Sequence, residues 1–307
     1  MKKRVIVLGG ATGTGKTALG VELAKQLNTE VLSADSQLVY KGLTVGTAKP
    51  SLEEKQGVPH HLIDIAEPDE EFSVAMYCEE AQTYLNRLWE QEKIPLVVGG
   101  TGFYIKNLLQ PSIIPNVDPD PEYRAVLNEI AEKEGNTSLH ERLLAIDPRR
   151  AEAIHPNDRF RLIRALEINR ATGKPVPQEE IAKDVSLLWI GLTYGDRQQH
   201  NEKLFERTQR MLDAGWLEEV QGLLAQYGSG SKALTVALGY SQLAQVLEGR
   251  LSLPDAIESI VIATRQYARR QAIWFRRNPD INWLDVGVLS FAAQKIAVNS
   301  ALENWLL

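Results

Sequence analysis

The chain has one cysteine, Cys78, in 307 residues. A single thiol closes no internal disulfide and builds no cysteine-rich zinc site. That suits a reducing compartment, although a site of His and carboxylates would need no cysteine. No apolar run of about 18 residues is present, so no transmembrane helix is expected. Positive charge is also short: 34 Lys+Arg stand against 40 Asp+Glu, a formal net charge of −6. That balance argues against a protein that grips nucleic acid through a general positive field. A secretory signal is missing too. Met1-Lys2-Lys3-Arg4 is basic, but the apolar stretch Val5–Leu8 ends at once in glycines. The cytoplasm is therefore the expected location. With 44% apolar and 24% charged residues the chain is ordinary for a folded globule. At this length it buries roughly three quarters of its unfolded surface, enough for one large domain or two smaller ones.

Val5-Ile6-Val7-Leu8 reads as a buried strand ending in glycines. Leu19, Leu23 and Leu27 then repeat at helical spacing. Val31-Leu32-Ser33-Ala34 reads as a second strand, broken at Asp35. Ser73 is placed to cap a helix with the apolar stripe Ala81, Leu85, Leu88 and Trp89. Pro95–Val98 reads as a third strand, stopped by Gly99-Gly100. The alternation implies an α/β fold: a parallel sheet with helices on both faces. Four prolines between Pro111 and Pro121 mark an exit from that core. Residues 115–185 read as an all-helical insertion. Residues 1–114 and 186–307 form the core. Leu187–Leu192 returns to strand texture. Two helices follow near His200–Tyr227 and Pro254–Arg277, then a last strand at Asn282–Asp285. The tail 291–307 is amphipathic and expected to pack as a surface helix. No internal repeat is evident.

Gly10-Ala11-Thr12-Gly13-Thr14-Gly15-Lys16-Thr17 satisfies G-x-x-x-x-G-K-T between a strand and a helix, the context this phosphate-loop motif requires. Glycines let successive N–H groups turn inward as an anion nest, and the helix N-terminus adds its dipole. Lys16 supplies a mobile cation and Thr17 a hydroxyl for Mg²⁺. The pattern specifies a polyphosphate ligand and leaves open whether that is ATP or another diphosphate. Asp35 follows the second strand, beside the phosphate site, where it suits general-base work or a contact to the metal shell. A capping or turn role is the plainer alternative. Thr101, in Gly99-Gly100-Thr101-Gly102, can donate to a phosphate oxygen or simply sit in a tight turn. No strand of four apolar residues ends in the Asp of a Walker B motif; Asp64 is a weak candidate and more readily structural.

Arginine is unevenly placed. Between Arg149 and Arg170 six arginines face three acids, and between Thr264 and Arg277 five arginines face none. Tyr267, Trp274 and Phe275 interleave the second run. Arginines with aromatics suit phosphate contact and base stacking in RNA binding. Solvated helix faces with ion pairs are the alternative for each run. Arg269 and Arg270 are the candidates of the second.

Taken together these motifs resemble the tRNA dimethylallyltransferase (tRNA isopentenyltransferase) family, nearly end to end. The resemblance rests on the phosphate loop, Asp35-Ser36-Gln37-Leu38-Val39-Tyr40-Lys41-Gly42, Gly46–Pro50, Pro59–Asp64 and Val98–Gly102. It continues through Asp120–Arg124, His155–Asp158, Leu238-Gly239-Tyr240 and Thr264–Gln271. It implies transfer of a dimethylallyl group from dimethylallyl diphosphate to the exocyclic N6 of the adenosine 3′ to the anticodon. The acceptors would be tRNAs reading codons that start with U. It further implies Asp35 as base, Lys16 and Thr101 at the diphosphate, and Ser36, Gln37, Leu38, Arg124 and the stretch Arg159, Phe160, Arg161, Leu162, Ile163 toward tRNA. The helical insertion resembles the family's mobile RNA-contacting domain. Where the family has a diphosphate-binding arginine this chain has Lys203, and lysine lacks the bidentate fork; Arg207, one turn on, is the other candidate. Some eukaryotic members carry a C-terminal zinc finger and this chain shows none, which suits a bacterial-type enzyme; a monomer is expected. Two other classes share these features: a phosphate-loop small-molecule kinase, in which Asp35 would accept a hydroxyl proton, and a nucleotide-gated RNA-binding protein.

Overall fold

A computed structural model describes residues 3–109, 117–175 and 185–307. The chain divides into two compact units, residues 1–109 with 183–307, and residues 110–182. The expected boundaries near 114 and 185 fall at stretches largely outside the described residues, except that Val185 already begins a core strand.

In the larger unit the strands are β1 (Lys3–Gly10), β2 (Val31–Ser33), β3 (His60–His61), β4 (Leu96–Gly99), β5 (Val185–Thr193) and β6 (Ile281–Asp285). They form one six-stranded sheet in the order β3-β2-β4-β1-β5-β6, parallel throughout. Helices α1 (Lys16–Gln26), α2 (Leu52–Lys55), α3 (Val74–Glu90) and α4 (Gly102–Leu109) lie in its first half. After an interval come α5 (Pro121–Glu134), α6 (Asn136–Ile146), α7 (Pro148–Glu152) and α8 (Arg159–Thr172), which make up the smaller unit. The larger unit resumes with α9 (Arg197–Asp213), α10 (Trp216–Tyr227), α11 (Lys232–Val236), α12 (Tyr240–Leu247), α13 (Leu253–Phe275) and α14 (Phe291–Leu306).

Central strand β1 shows why helices cover both faces. Its side chains alternate. Val5 and Val7 join a cluster with Tyr77, Leu85 and Leu88 of α3 and with Phe275 of α13. Ile6 and Leu8 join the other, with Leu19 and Leu23 of α1 and with Val298 and Leu302 of α14. A strand buried on both faces must read as a continuous apolar run, and this one does. Ser73 caps α3 as expected, its Oγ accepting the Met76 N–H at 3.2 Å. Trp89 is only half-buried and gives its indole N–H to the Arg4 carbonyl at 2.9 Å. The helix expected over His200–Tyr227 is two helices, because Gly215 adopts φ +93° between them. Strand β3 and helices α2, α11 and α12 carry no periodic apolar pattern long enough to announce them. Among the described residues no helix is long and apolar enough to cross a membrane.

The smaller unit has its own core of Leu127, Leu139, Leu143, Leu162, Ile163 and Leu166. Breaks seen in the sequence are helix starts: the carboxylates of Asp120, Asp147 and Asp158 accept the first-turn N–H groups of Tyr123, Arg150 and Arg161, two with proline at the first position. Glu167 is buried in this unit and accepts from Arg124 Nε at 2.7 Å and Nη2 at 2.9 Å, and from Arg164 at 3.3 Å. Burial works to raise its pKa, yet hydrogen bonds from Arg124 and the Asp120 N–H outweigh burial and the shift is downward.

Where β4 passes β2, a methyl group on Gly99 would stand 2.1 Å from the Ala34 carbonyl oxygen. Gly99→Ala is expected to cost at least ~2 kcal/mol, because two paired strands must separate. Gly222→Ala, in the middle of α10 with open space around it, is expected to add ~0.5–1 kcal/mol. Urea unfolding of both variants checks the pair.

Candidate functional site

The site lies at the carboxyl ends of the strands, where an open parallel sheet binds its ligands. After β1 the chain turns through Gly10 (φ +144°), Gly13 (φ +79°) and Gly15 (φ +85°) into α1. Only glycine tolerates these angles in sequence, and they aim the loop's N–H groups inward. Within the loop, Thr14 Oγ1 and Lys16 Nζ both donate to the Ala11 carbonyl, at 2.8 and 2.6 Å. The loop is therefore folded on itself, with Lys16 across its mouth.

A cavity of about 570 Å³ opens over it. Thr12, Gly13, Gly15, Lys16 and Thr17 line one side, Asp35 and Leu38 another, and Arg207 and Gln271 close it from α9 and α13. Asp35 follows β2, and its Oδ1 accepts the Gln37 N–H at 2.9 Å, which orients the carboxylate. Arg207 spreads a fork, giving Nη1 to Thr12 Oγ1 at 2.8 Å and Nη2 to the Thr47 carbonyl at 3.4 Å. A second, smaller cavity of about 50 Å³ shares Thr12, Asp35 and Arg207 and adds Gln37, Trp216 and Tyr267.

Withdrawal from water lowers the Lys16 pKa to about 8; Asp35 opposes that shift and Arg207 adds to it. Burial also lowers the pKa of Arg207, again opposed by Asp35. Two cations thus flank one carboxylate, and both gain from an arriving anion. Burial, and then the charge of Asp35, pushes the Tyr267 phenol up, against the opposing effect of its hydrogen bonds with Thr101 and Gln271.

The structure brings together most of the residues expected from sequence, with some changes. Thr12, Gly13, Gly15, Lys16, Thr17, Asp35, Leu38 and Arg207 line one cavity, whereas Gly10, Ala11 and Thr14 of the loop are buried and do not. Ser36 and Thr101 stand beside it, Thr101 Oγ1 accepting the Ser36 N–H at 3.0 Å. Lys203 is not part of the cavity: it is exposed on α9 and pairs with Glu206 at 2.9 Å. Asp64 is structural, pairing with the buried Lys49. Arg269 and Arg270 are exposed on α13. Among the described residues neither they nor Arg265, Arg276 and Arg277 lie within ion-pair distance of a carboxylate, whereas Arg159, Arg161, Arg164 and Arg170 of the smaller unit all do. In the stretch expected to face tRNA, Phe160 and Arg161 are exposed. Leu162 and Ile163 instead point into the core of the smaller unit, 0% and 7% exposed, because a helix turns half its residues inward. Arg124 has its guanidinium engaged by Glu167.

Three residues at the site were not singled out from sequence. His200 Nε2 meets the Thr12 carbonyl at 2.9 Å. Gln271 bonds the Thr12 N–H and the Gly100 carbonyl. The Glu219 carboxylate accepts the N–H groups of Thr44, Val45 and Gly46, fixing a stretch that lines the cavity. The i, i+4 spacing of Tyr267 and Gln271, opposite Arg269, was the available signal for a second, inward face of α13. No cluster of three or more His, Cys, Asp or Glu suited to a metal occurs among the described residues; Thr17 and Asp35 are among the side chains with oxygen atoms that line the cavity.

The IPP transferase family model matches residues 38–278, and the isopentenyl transferase model matches residues 3–68. The chain is 41% identical to the tRNA dimethylallyltransferase of Carboxydothermus hydrogenoformans, covering 100% of both. It is 45% identical to that of Gloeobacter violaceus, covering 92% of each. Among solved structures it is similar to the full-length tRNA isopentenylpyrophosphate transferase of Bacillus halodurans, with 36% identity, 99% and 98% coverage and a TM-score of 0.73. It is also similar to a eukaryotic dimethylallyltransferase caught acting on tRNA, with 26% identity, 98% of this chain and 80% of that one, and a TM-score of 0.77.

Two outcomes follow from the charges. An anion restores Lys16 to its ammonium form, so affinity for inorganic diphosphate should be lost above pH about 8, by up to about tenfold per pH unit relative to a Lys16→Arg variant. Calorimetric titrations of both proteins between pH 7 and 9.5 measure this. Arg207→Ala should weaken diphosphate binding by about 10- to 100-fold, and Lys203→Ala by less than about twofold.

Proposed function

The chain belongs to the tRNA dimethylallyltransferase family and transfers a dimethylallyl group to the adenosine 3′ to the tRNA anticodon, and we propose how its own residues carry out that transfer. The observation that carries the reading is the convergence of the phosphate loop, Lys16, Arg207 and Asp35 on one cavity. The donor's diphosphate lies in the loop, met by the N–H groups of Gly13–Thr17, by Lys16 and by Arg207. Its five-carbon end extends toward Asp35.

An adenine exocyclic amine is a weak nucleophile because its lone pair is delocalised into the ring. The donor compensates: as its carbon–oxygen bond to diphosphate breaks, the positive charge spreads over the allyl group. The electron pair of that bond leaves with the diphosphate, the N6 lone pair forms the new carbon–nitrogen bond, and one N6 proton passes to the Asp35 carboxylate. Three tasks remain for the protein. Lys16, Arg207 and the loop N–H groups stabilise the departing charge. The carboxylate, oriented by the Gln37 N–H, accepts a hydrogen bond from the amine and then its proton. Thr101 holds the Asp35 loop through the Ser36 N–H. The Thr17 hydroxyl would hold Mg²⁺ at the phosphate loop, with the Asp35 carboxylate beside the metal's shell rather than bound to it. When bound, the ion neutralises charge on the leaving diphosphate.

The arginines of α13, Arg269 and Arg270 foremost, meet no carboxylate among the described residues and are offered to RNA phosphates. In the smaller unit Arg159, Phe160 and Arg161 present a basic, aromatic face to the anticodon stem-loop. The target base leaves its stack to reach the carboxylate. We assign as acceptors the tRNAs reading codons that begin with U, and the cytoplasm as the compartment of the reaction.

The test incubates the protein with Mg²⁺, unmodified tRNA and either labelled dimethylallyl diphosphate or γ-labelled ATP. Prenyl label should pass to RNA. Phosphate transfer to a small acceptor without prenyl transfer would overturn the reading. The Arg269→Ala, Arg270→Ala double variant should bind tRNA more weakly and flatten the log–log salt dependence by about 1.4–1.8; an unchanged slope would remove α13 from the RNA contact.

A further inference from the structure

We propose that Gln271 is a positioning residue that sets the phosphate loop in register with the loops carrying Thr101 and Asp35. The inference rests on the proposed donor site and adds to it a residue that touches neither reacting atom. Gln271 lies on the inward face of α13 with 6% of its surface exposed. Its Oε1 accepts the Thr12 N–H at 2.8 Å, and its Nε2 donates to the Gly100 carbonyl at 3.0 Å. One partner can only donate and the other can only accept, so a single amide orientation satisfies both. No other side chain of this length does so. Glutamate at neutral pH offers two acceptors, methionine offers no donor, and asparagine is a methylene short. The fit is close, since a methyl group on Gly100 would lie 2.2 Å from Nε2.

What the amide joins gives it a role in the reaction. Gly100 precedes Thr101, whose N–H donates to the Ala34 carbonyl at 3.0 Å and whose Oγ1 accepts the Ser36 N–H at 3.0 Å. Asp35 lies between Ala34 and Ser36. A short chain of hydrogen bonds therefore runs from Thr12 through Gln271 to both flanks of Asp35. Thr12 is held on three sides, by Gln271 at its N–H, His200 at its carbonyl and Arg207 at its hydroxyl. With the Thr12 N–H taken, the loop offers its anion the donors from Gly13 onward. The diphosphate, and with it the reacting carbon, is thereby set at one depth relative to Asp35. A displacement of about 1 Å between reacting groups costs on the order of 100-fold in rate.

The experiment compares the full chain with Gln271→Met, which keeps length and apolar volume and loses both hydrogen bonds. Single-turnover transfer, inorganic diphosphate binding, tRNA binding and thermal midpoint are measured on each, with Lys16→Ala as reference. The expected result is a rate lower by about 10- to 100-fold, diphosphate bound a few-fold more weakly, and tRNA affinity unchanged. A rate within twofold of wild type overturns the inference. If Lys16→Ala binds diphosphate like wild type, the donor-site reading fails instead, so the two failures are distinct. Should Gln271→Met fold poorly, Gln271→Glu decides. Its carboxylate would face the Gly100 carbonyl, and protonation would restore the missing donor. Its rate relative to wild type should rise as pH falls. Lys16, Asp35, Arg207, His200 and Tyr267 are the charged and titratable groups near the position in both proteins, so the ratio at each pH removes their common effect. A ratio that does not change with pH overturns the proposal.

Discussion

The site depends on how closely β1 approaches its neighbours at its carboxyl end. A methyl group on Gly9 would stand 2.4 Å from the Phe275 ring, and one on Gly10 would stand 2.4 Å from the Leu192 carbonyl oxygen. Nothing larger than glycine lets α13 and β5 come this near. From that contact the phosphate loop leaves the sheet, and α13 is brought close enough for Gln271 to reach it. The strand order β2-β4-β1 does the rest. Three adjacent strands end side by side, so Asp35, Thr101 and the phosphate loop follow one another across the crevice. Thr101, two residues past the middle strand, bonds to the outer loop, and Gln271 joins its neighbour Gly100 to the loop on the other side.

Charge is organised at the same scale. The chain is acidic overall, yet Lys16 and Arg207 lie in a cleft that withholds water and lowers both pKa values. Cations held in this way gain more from a diphosphate than exposed ones would, because their interaction is less screened. The arginines divide likewise. Those at 159, 161, 164 and 170 are tied to carboxylates of the smaller unit and help to shape it. Those of α13 have no such partner among the described residues. Net charge thus said little about nucleic acid; pairing says more.

The phosphate loop, Asp35 and the alternation of strands and helices could be read from sequence because each is local. A loop needing three glycines at fixed intervals, or a strand buried on both faces, leaves its mark within ten residues. The rest is set by contacts distant in the chain. Strand β3 is two residues long, His60–His61, and exists only through its pairing with β2. The break at Gly215 shows in backbone angle rather than in apolar pattern. Lys203 and Arg207 share a face of α9, but only Arg207 reaches Thr12, 195 residues away in sequence. Leu162 and Ile163 sit in a motif-matching stretch, and their place on the helix turns them inward. Gln271 stood within a recognised run, and its role appears only once Thr12 and Gly100 are seen on either side of it.

The central claim is that Asp35 takes the amine proton while the phosphate loop holds the leaving diphosphate. The most direct measurement is single-turnover prenyl transfer by Asp35→Ala, with tRNA affinity determined on the same protein. The account predicts a rate lower by about 10²- to 10⁴-fold with tRNA binding little changed. Transfer at the wild-type rate, with the loss appearing in tRNA binding alone, would contradict it.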